Sequence, residues 1–264
     1  MTAVLVPAGG DTGGRGVTYR AEVDGRSAGR LRLVAAGHGE GLLEDVSVRA
    51  ADAPAVLAAA REALAGWGLR RAQVVVRGAD QVGRDFATAA GLALTSANLR
   101  KPVTVEPAEP PVGARPMTES EYARFRDRDQ DSYERDLVDS GTLDPAGARA
   151  KAAADWATSL PHGRHTPGNL LLTLVARVDG AARRVGTLWL AVDRPDPGVL
   201  WVYQVDIEAA HRGRGLGRAA MLLAEREAVR AGQRAVALNV FGHNRVARGL
   251  YDSLGYLPTV EVFG

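Results

Sequence analysis

The 264-residue chain has no cysteine. Disulfides, thiolate metal sites and a cysteine nucleophile are therefore excluded. Lysine is almost missing as well: Lys101 and Lys151 stand alone, and arginine carries the other positive charges. That bias reads as genome composition, not function. An excess of one charge is also absent, with 33 basic against 31 acidic residues and a net charge of +2. A nucleic-acid binder shows a clearer basic excess or a one-faced stripe, so no nucleic-acid partner is expected. No stretch approaches the ~20 apolar residues of a membrane span. The N-terminal MTAVLVPAGGDTGG has no basic segment before its short apolar run, so it does not read as a signal peptide. His162 and His165 lie three apart in PHGRHTPGN without a nearby third ligand, and no metal is expected. A soluble, cytoplasmic protein with no membrane partner is the expectation.

What is present is ordinary globular material. Hydrophobic residues make up 46% and charged residues 24%, enough for one large core or two ordinary ones. Patterning predicts strands at 17–23 and 29–36 joined at Asp24-Gly25, a strand at 42–48, a helix at 53–67, the strand AQVVVRG and a short helix at 80–90. The proline-rich 101–116 reads as a linker. Beyond it, a charged helix covers TESEYARFRDRDQDSYERDLVDSG, with Thr118 and Glu121 spaced as a capping box. A second helix is expected at 145–159, and strands at 170–178, 184–193 and 199–207. A helix, the strand RAVALNV, a helix from Asn244 and a strand near 257–262 follow. The alternation after residue 199 implies a βαβ unit with parallel strands.

One stretch stands out: HRGRGLGRAAMLLAEREAVRAG, residues 211–232. A strand, WVYQVDIEAA, leads into glycines, and an Ala/Leu-rich helical face follows. Such a junction aims free backbone N–H groups and a positive dipole end at one point. Arg212, Arg214 and Arg218 add charge, and the site suits a pyrophosphate. A dinucleotide fingerprint needs Gly-x-Gly-x-x-Gly, and this stretch is Gly-x-Gly-x-Gly. An arginine/glycine RNA-binding segment would be repetitive and disordered. A purely structural turn is the remaining bland reading.

Arg212-x-x-Gly215-x-Gly217 after a strand resembles the acyl-CoA pyrophosphate loop of the GNAT superfamily, the acyl-CoA-dependent N-acyltransferases. ALNVFGHNRVARGLYDSLGY, residues 237–256, resembles that family's second segment. The likeness covers 112–262. It implies an α/β fold with a mixed central sheet flanked by helices, acetyl-CoA as cosubstrate, and cofactor contacts from Val205, Ile207, Arg212, Gly213, Arg214, Gly215, Gly217, Arg218 and Asn244. It also puts Tyr251 near the thioester sulfur.

The first half reads as a second, damaged copy. EDVSVRAA (44–51) matches YQVDIEAA (203–210), while Gly68 and Gly91 match Gly232 and Gly255. The two offsets differ by five residues, which are lost at the glycine loop. Asp80 then stands in place of Asn244, and Ala87 in place of Tyr251. The expectation is a tandem chain: a degenerate domain at 1–105 without a cofactor loop, and a catalytic domain at 106–264. The first half is also expected to lack the opening strand and helix pair of the second. Tandem chains of this kind include mycothiol-synthase-like enzymes, although nothing in the sequence identifies that substrate.

Amine acetylation needs a neutral amine, a stabilised oxyanion and a proton for the leaving thiolate. Tyr251, with an ordinary pKa of ~10, is the candidate acid. Backbone N–H groups of Asp206 or Ile207 are candidate oxyanion donors. Asp206 is the candidate base, with Glu208 or ordered water as alternatives. Gln204 stands where many relatives carry a carboxylate. His211 reads as a phosphate-side or surface residue. Residues 119–139 hold eight acids against four arginines, either an acidic wall favouring a cationic amine or, by preference, a solvated helix face. The acceptor, a small molecule or a peptide amine, stays open, as does the oligomeric state. A non-catalytic acyl-CoA-binding module is the alternative function.

Overall fold

A computed structural model describes residues 1–10, 16–36, 39–140, 143–192 and 196–264. Its strands and helices run, in chain order, β1 (Ala3–Gly10), β2 (Gly16–Val23), β3 (Arg26–Ala35), β4 (Glu40–Val48), α1 (Ala53–Gly66), β5 (Arg71–Arg77), α2 (Gln81–Ala89), β6 (Leu94–Pro102), β7 (Gly113–Pro116), α3 (Glu119–Asp139), α4 (Pro145–Ser159), β8 (Asn169–Val178), β9 (Ala181–Ala191), β10 (Val199–Ile207), α5 (Leu216–Arg230), β11 (Ala235–Phe241), α6 (Arg245–Ser253) and β12 (Leu257–Phe263). Gly141 and Asp193, which end two of the expected elements, lie outside the described residues.

The chain forms two compact units, Met1–Ala97 with Pro258–Gly264, and Asn98–Leu257. They do not coincide with a single cut at residue 105, because the last strand of the chain belongs to the first unit. There β12 pairs antiparallel with β5. Ala93 and Gly264 exchange backbone hydrogen bonds of 3.2 and 3.0 Å, and Thr95 Oγ1 donates to the Val262 carbonyl at 2.9 Å.

In the first unit the strand order is β1-β2-β3-β4-β5-β12, ending on the start of β6. Asp24 and Gly25 adopt φ of 49° and 76°, the paired left-handed residues of a tight hairpin turn. Alternation buries Tyr19, Ala21, Leu31, Leu33 and Leu43 on one face, where they pack with Val56, Leu57 and Leu64 of α1 and Phe86 of α2.

β1 corrects the expectation that this half lacks an opening strand. It pairs with β2, with a register shift between Pro7 and Gly9. Proline and glycine mask it in the sequence, but both are tolerated on an edge strand. Among the described residues no helix pair stands between β1, which ends at Gly10, and β2, which starts at Gly16.

The second unit runs β11-β10-β9-β8-β7, joined by the end of β6. β7 falls within the stretch read as linker. Thr118 and Glu121 form the capping box at the start of α3. Tyr122 and Phe125 of α3 and Trp156 of α4 pack on Leu171 and Trp189 of the sheet, with Trp156 and Trp189 edge to face at 5.3 Å.

The duplication is visible in the registers. β4 and β5 pair in parallel from Glu40↔Arg71 to Leu43↔Val74, and β10 and β11 from Val199↔Ala235 to Val202↔Leu238. Both units also need one glycine for space: a Cβ would sit 2.0 Å from the Ser47 carbonyl oxygen at Gly29, and 2.1 Å from that of Asp206 at Gly186.

Candidate active site

The strand-to-helix junction is built by two left-handed glycines. Gly213 and Gly215 have φ of 73° and 75°, and a Cβ at either would meet nothing within 4 Å. Glycine is needed here for backbone angle, not for room. Gly215 is the N-cap of α5, with no side chain capping the helix. No side chain thus meets the first N–H groups of α5, at the positive end of the helix.

At Gly217 a Cβ would make only ordinary van der Waals contact, 3.4 Å from Leu250. Arg218 donates to Ser253 Oγ. This bond ties the first turn of α5 to the end of α6. Arg214 is exposed. Arg212 is engaged within the chain: its Nε donates to the Ile207 carbonyl at 2.8 Å, and its Nη2 pairs with Asp206 Oδ1 at 3.1 Å. It ties the loop to the strand end as well as adding charge.

A second feature leads into this junction. Parallel pairing of β10 with β11 stops at Val202↔Leu238, yet the strands run on to Ile207 and Phe241. Along its other edge β10 stays paired with β9 as far as Ile207↔Gly186, with a bulge between Val202 and Gln204. Glu208 N–H donates to the Val185 carbonyl. Strand alternation therefore turns the Asp206 amide toward β9, and the amides of Val205 and Ile207 toward the gap left by β11. This corrects one expected oxyanion donor: Asp206 N–H is spent on the sheet, while Ile207 N–H faces the opening.

Asn244 caps α6, its Oδ1 accepting from Ala247 N–H at 3.1 Å. Tyr251 is 6% exposed, and burial pushes its phenol up to about 12. Its ring lies 5.9 Å from that of Tyr256.

The acidic helix supplies what sequence reasoning missed. Asp129, Tyr133 and Asp136 share one face of α3, three and four residues apart. Tyr133 donates to Asp155 at 3.0 Å, and its ring sits 6.3 Å from Phe241 at the end of β11. Asp136 Oδ1 contacts His243 Nε2 at 3.0 Å. Burial first, then the charges of Asp136 and Asp206, raises the Asp129 carboxyl to about 7. This face of α3 is half-buried and borders the ends of β10 and β11. The signal was the 129/133/136 spacing. Other carboxylates near the strand end are engaged: Asp206 with Arg212, and Glu208 with Arg184 at 3.1 Å. Gln204 Oε1 accepts from Thr187.

Among the described residues no cluster of three or more acidic or histidine side chains is placed to hold a metal. His162 lies beside a short 3-10 turn, Gly163–His165, and its backbone N–H donates to Thr166 Oγ1.

The first unit repeats the frame without the groups. Asp80 caps α2 through Gly83 N–H at 3.0 Å, as Asn244 caps α6. Ala87 is fully buried. α1 starts directly after Asp52, a buried carboxylate paired with Arg49 at 2.8 Å and Arg26 at 3.4 Å. A carboxylate thus precedes α1, where the second unit has its glycine loop.

Residues 124–256 match the family model of the acetyltransferase (GNAT) family. The uncharacterized N-acetyltransferase YdgE of Bacillus subtilis is 29% identical over 144 residues, 54% of this chain and 90% of its own length. The crystal structure of the acetyltransferase YycN from the same organism covers 55% of this chain and 92% of that one, at 26% identity and a TM-score of 0.51. A GCN5-related N-acetyltransferase from Sphaerobacter thermophilus shares the fold over 97% of this chain and 81% of its own, at 18% identity and a TM-score of 0.57. With a family match that begins in α3 and ends just beyond α6, across loop, strand gap and Tyr251, the chain belongs to the GNAT family of acyltransferases.

Proposed function

We propose that the second unit transfers an acetyl group from acetyl-CoA to a primary amine by direct attack in a ternary complex. The observation that carries this reading is the gap between β10 and β11, which opens onto the uncapped start of α5. A pantetheine arm lying along the gap would meet the amides of Val205 and Ile207. Its pyrophosphate would meet the N–H groups at Gly213, Gly215 and Gly217, with Arg212, Arg214 and Arg218 around it and the Asn244 carboxamide nearby.

The acceptor arrives as an ammonium, with a pKa of ~10.4 for an alkylamine. Asp129, raised to about 7, is a better base than Asp206, whose charge Arg212 already engages. A base poised near the working pH serves both protonation state and driving force. The free amine attacks the thioester carbonyl, a C–N bond forms, and the oxyanion takes the Ile207 N–H. The C–S bond then breaks. Tyr251 stays protonated at neutral pH and donates a hydrogen bond to the departing sulfur. The proton that neutralises the thiolate balances the one shed by nitrogen as the amide forms. The amine is a small-molecule or peptide acceptor, and the acidic face of α3 favours a cation.

Calorimetric titration with acetyl-CoA, followed by an amine panel, tests the reading. One site per chain with turnover is expected, the first copy having lost its loop. Two sites would contradict the cofactor-dead first copy. Binding without turnover on any amine would favour a non-catalytic module, and no binding would overturn the proposal.

A further inference from the structure

Among the described residues, the first unit has a sheet face with no helix pair over it, and that face carries an uncompensated charge. Register aligns Val6, Arg20, Arg30 and Ser47 in one row across β1, β2, β3 and β4. Arg20 and Arg30 are direct cross-strand partners. Both are exposed, and neither guanidinium has an ion-pair or hydrogen-bond partner among the described residues. Like charges placed directly opposite destabilise a sheet. The neighbouring cations are already committed: Arg32 to Glu44, and Arg26 and Arg49 to Asp52. Glu22 stands in the next row, opposite Ser27, and leaves the pair net positive.

The duplication says what this place is. In the second unit the equivalent row is Arg115, Thr173, Thr187 and Asp206. Thr173 and Thr187 are 0% and 3% exposed, on the same face as the Leu171 and Trp189 that α3 and α4 cover. Asp206 ends that row beside Asp129. The first unit therefore keeps the acceptor side of the fold, opens it by omitting the helix pair, and reverses its charge. An open depression of about 400 Å³ lies there on the sheet surface, lined by Ala8, Arg20, Ser27, Gly29 and Arg30.

We propose that Arg20 and Arg30, with Ser27 at the rim, form a binding site for a small multivalent oxyanion, phosphoryl or carboxylate. Two guanidinium forks suit such groups, which they can grip through paired N–H donors. The bound anion would also relieve the repulsion between the two arginines.

Thermal melts of the full chain test this, with sodium pyrophosphate or citrate compared against sodium chloride of equal ionic strength. Ligand bound only to the folded state raises the melting temperature. Wild type should gain with at least one anion, and the anion that acts assigns phosphoryl or carboxylate chemistry. In R20T/R30T, which installs the residues of the second unit, the site-specific gain should vanish. That variant should melt higher than wild type in plain buffer, because threonine suits a strand and the repulsion is gone. Arg30→Lys should keep only part of the gain, since it retains charge but not the fork. An equal gain in wild type and double variant would place the anion elsewhere, at the start of α5 for instance, and overturn the proposal. So would no gain in wild type, or binding of a single-stranded oligonucleotide without any response to the small anions.

Discussion

Tyr251 and Asp129 divide the proton work of the proposed reaction, and they can be separated by substitution. Tyr251→Phe removes the hydroxyl and keeps the buried ring. Turnover should fall roughly 100-fold or more, while acetyl-CoA affinity measured by calorimetry stays near wild type. Asp129 is protonated below about 7, so turnover should rise with pH through that region. Asp129→Asn should abolish this limb. The same variant reports on stability. The folded carboxyl holds its proton well above the ordinary value of 3.8, so the folded state binds more protons between the two values. Stability is then lost as pH climbs from about 4 to about 7, by on the order of 2–4 kcal/mol. Asp129→Asn should escape that loss and melt above wild type at pH 8 while losing activity. Unchanged melting at pH 8 would mean the carboxyl is better solvated than its place on α3 implies.

Among the elements, the α5 junction and the α3 cap invite direct tests. Gly215→Ala forces a Cβ into left-handed backbone, at a cost of about 1–2 kcal/mol, and should weaken acetyl-CoA binding with little change in any core contact. At α3, Arg115 grips Glu121 with two bonds of 2.8 and 2.7 Å, and Thr118 N–H adds a third at 2.9 Å. The Arg115 fork, then the cap, holds the Glu121 carboxyl well below the usual range. Its contribution is present at neutral pH and is lost as pH falls below the unfolded value of ~4.3 toward the lower folded one. Glu121→Gln should cost about 1 kcal/mol in a urea melt at pH 7, the fork being partly screened by solvent, and nothing in strong acid. Both features are legible in sequence because they are local: glycines fix backbone angles, and a cap needs only four residues. The raised Asp129 carboxyl is not, because burial, its main cause, is set by the tertiary fold, and one of the charges facing it, Asp206, lies some eighty residues along the chain. β1 hides behind Pro7 and Gly9, which sequence patterns count against a strand.

At the scale of the whole molecule, the order of elements and the duplication can be read from repeated spacings, since both copies keep the same parallel register. The destination of β12 cannot. Nothing in Leu257–Phe263 distinguishes pairing with the second copy from pairing with β5, because strand pairing is decided by distant partners. Deleting 258–264 should therefore damage the first unit: Thr259 accepts from Gly78 N–H, and Glu261 pairs with Arg84. Hydrogen exchange should show loss of protection along β5 in the shortened chain. If protection is lost only in β10 and β11, the assignment of β12 to the first unit is wrong.

That assignment has a consequence for the order of events during synthesis. A ribosome delivers β1 to β5 early, but β12, which flanks β5, emerges only after the whole of α3 to α6. The N-terminal unit must wait, with one sheet edge unsealed, until Leu257–Phe263 has been made. Cutting the chain between the copies would leave the first unit without β12.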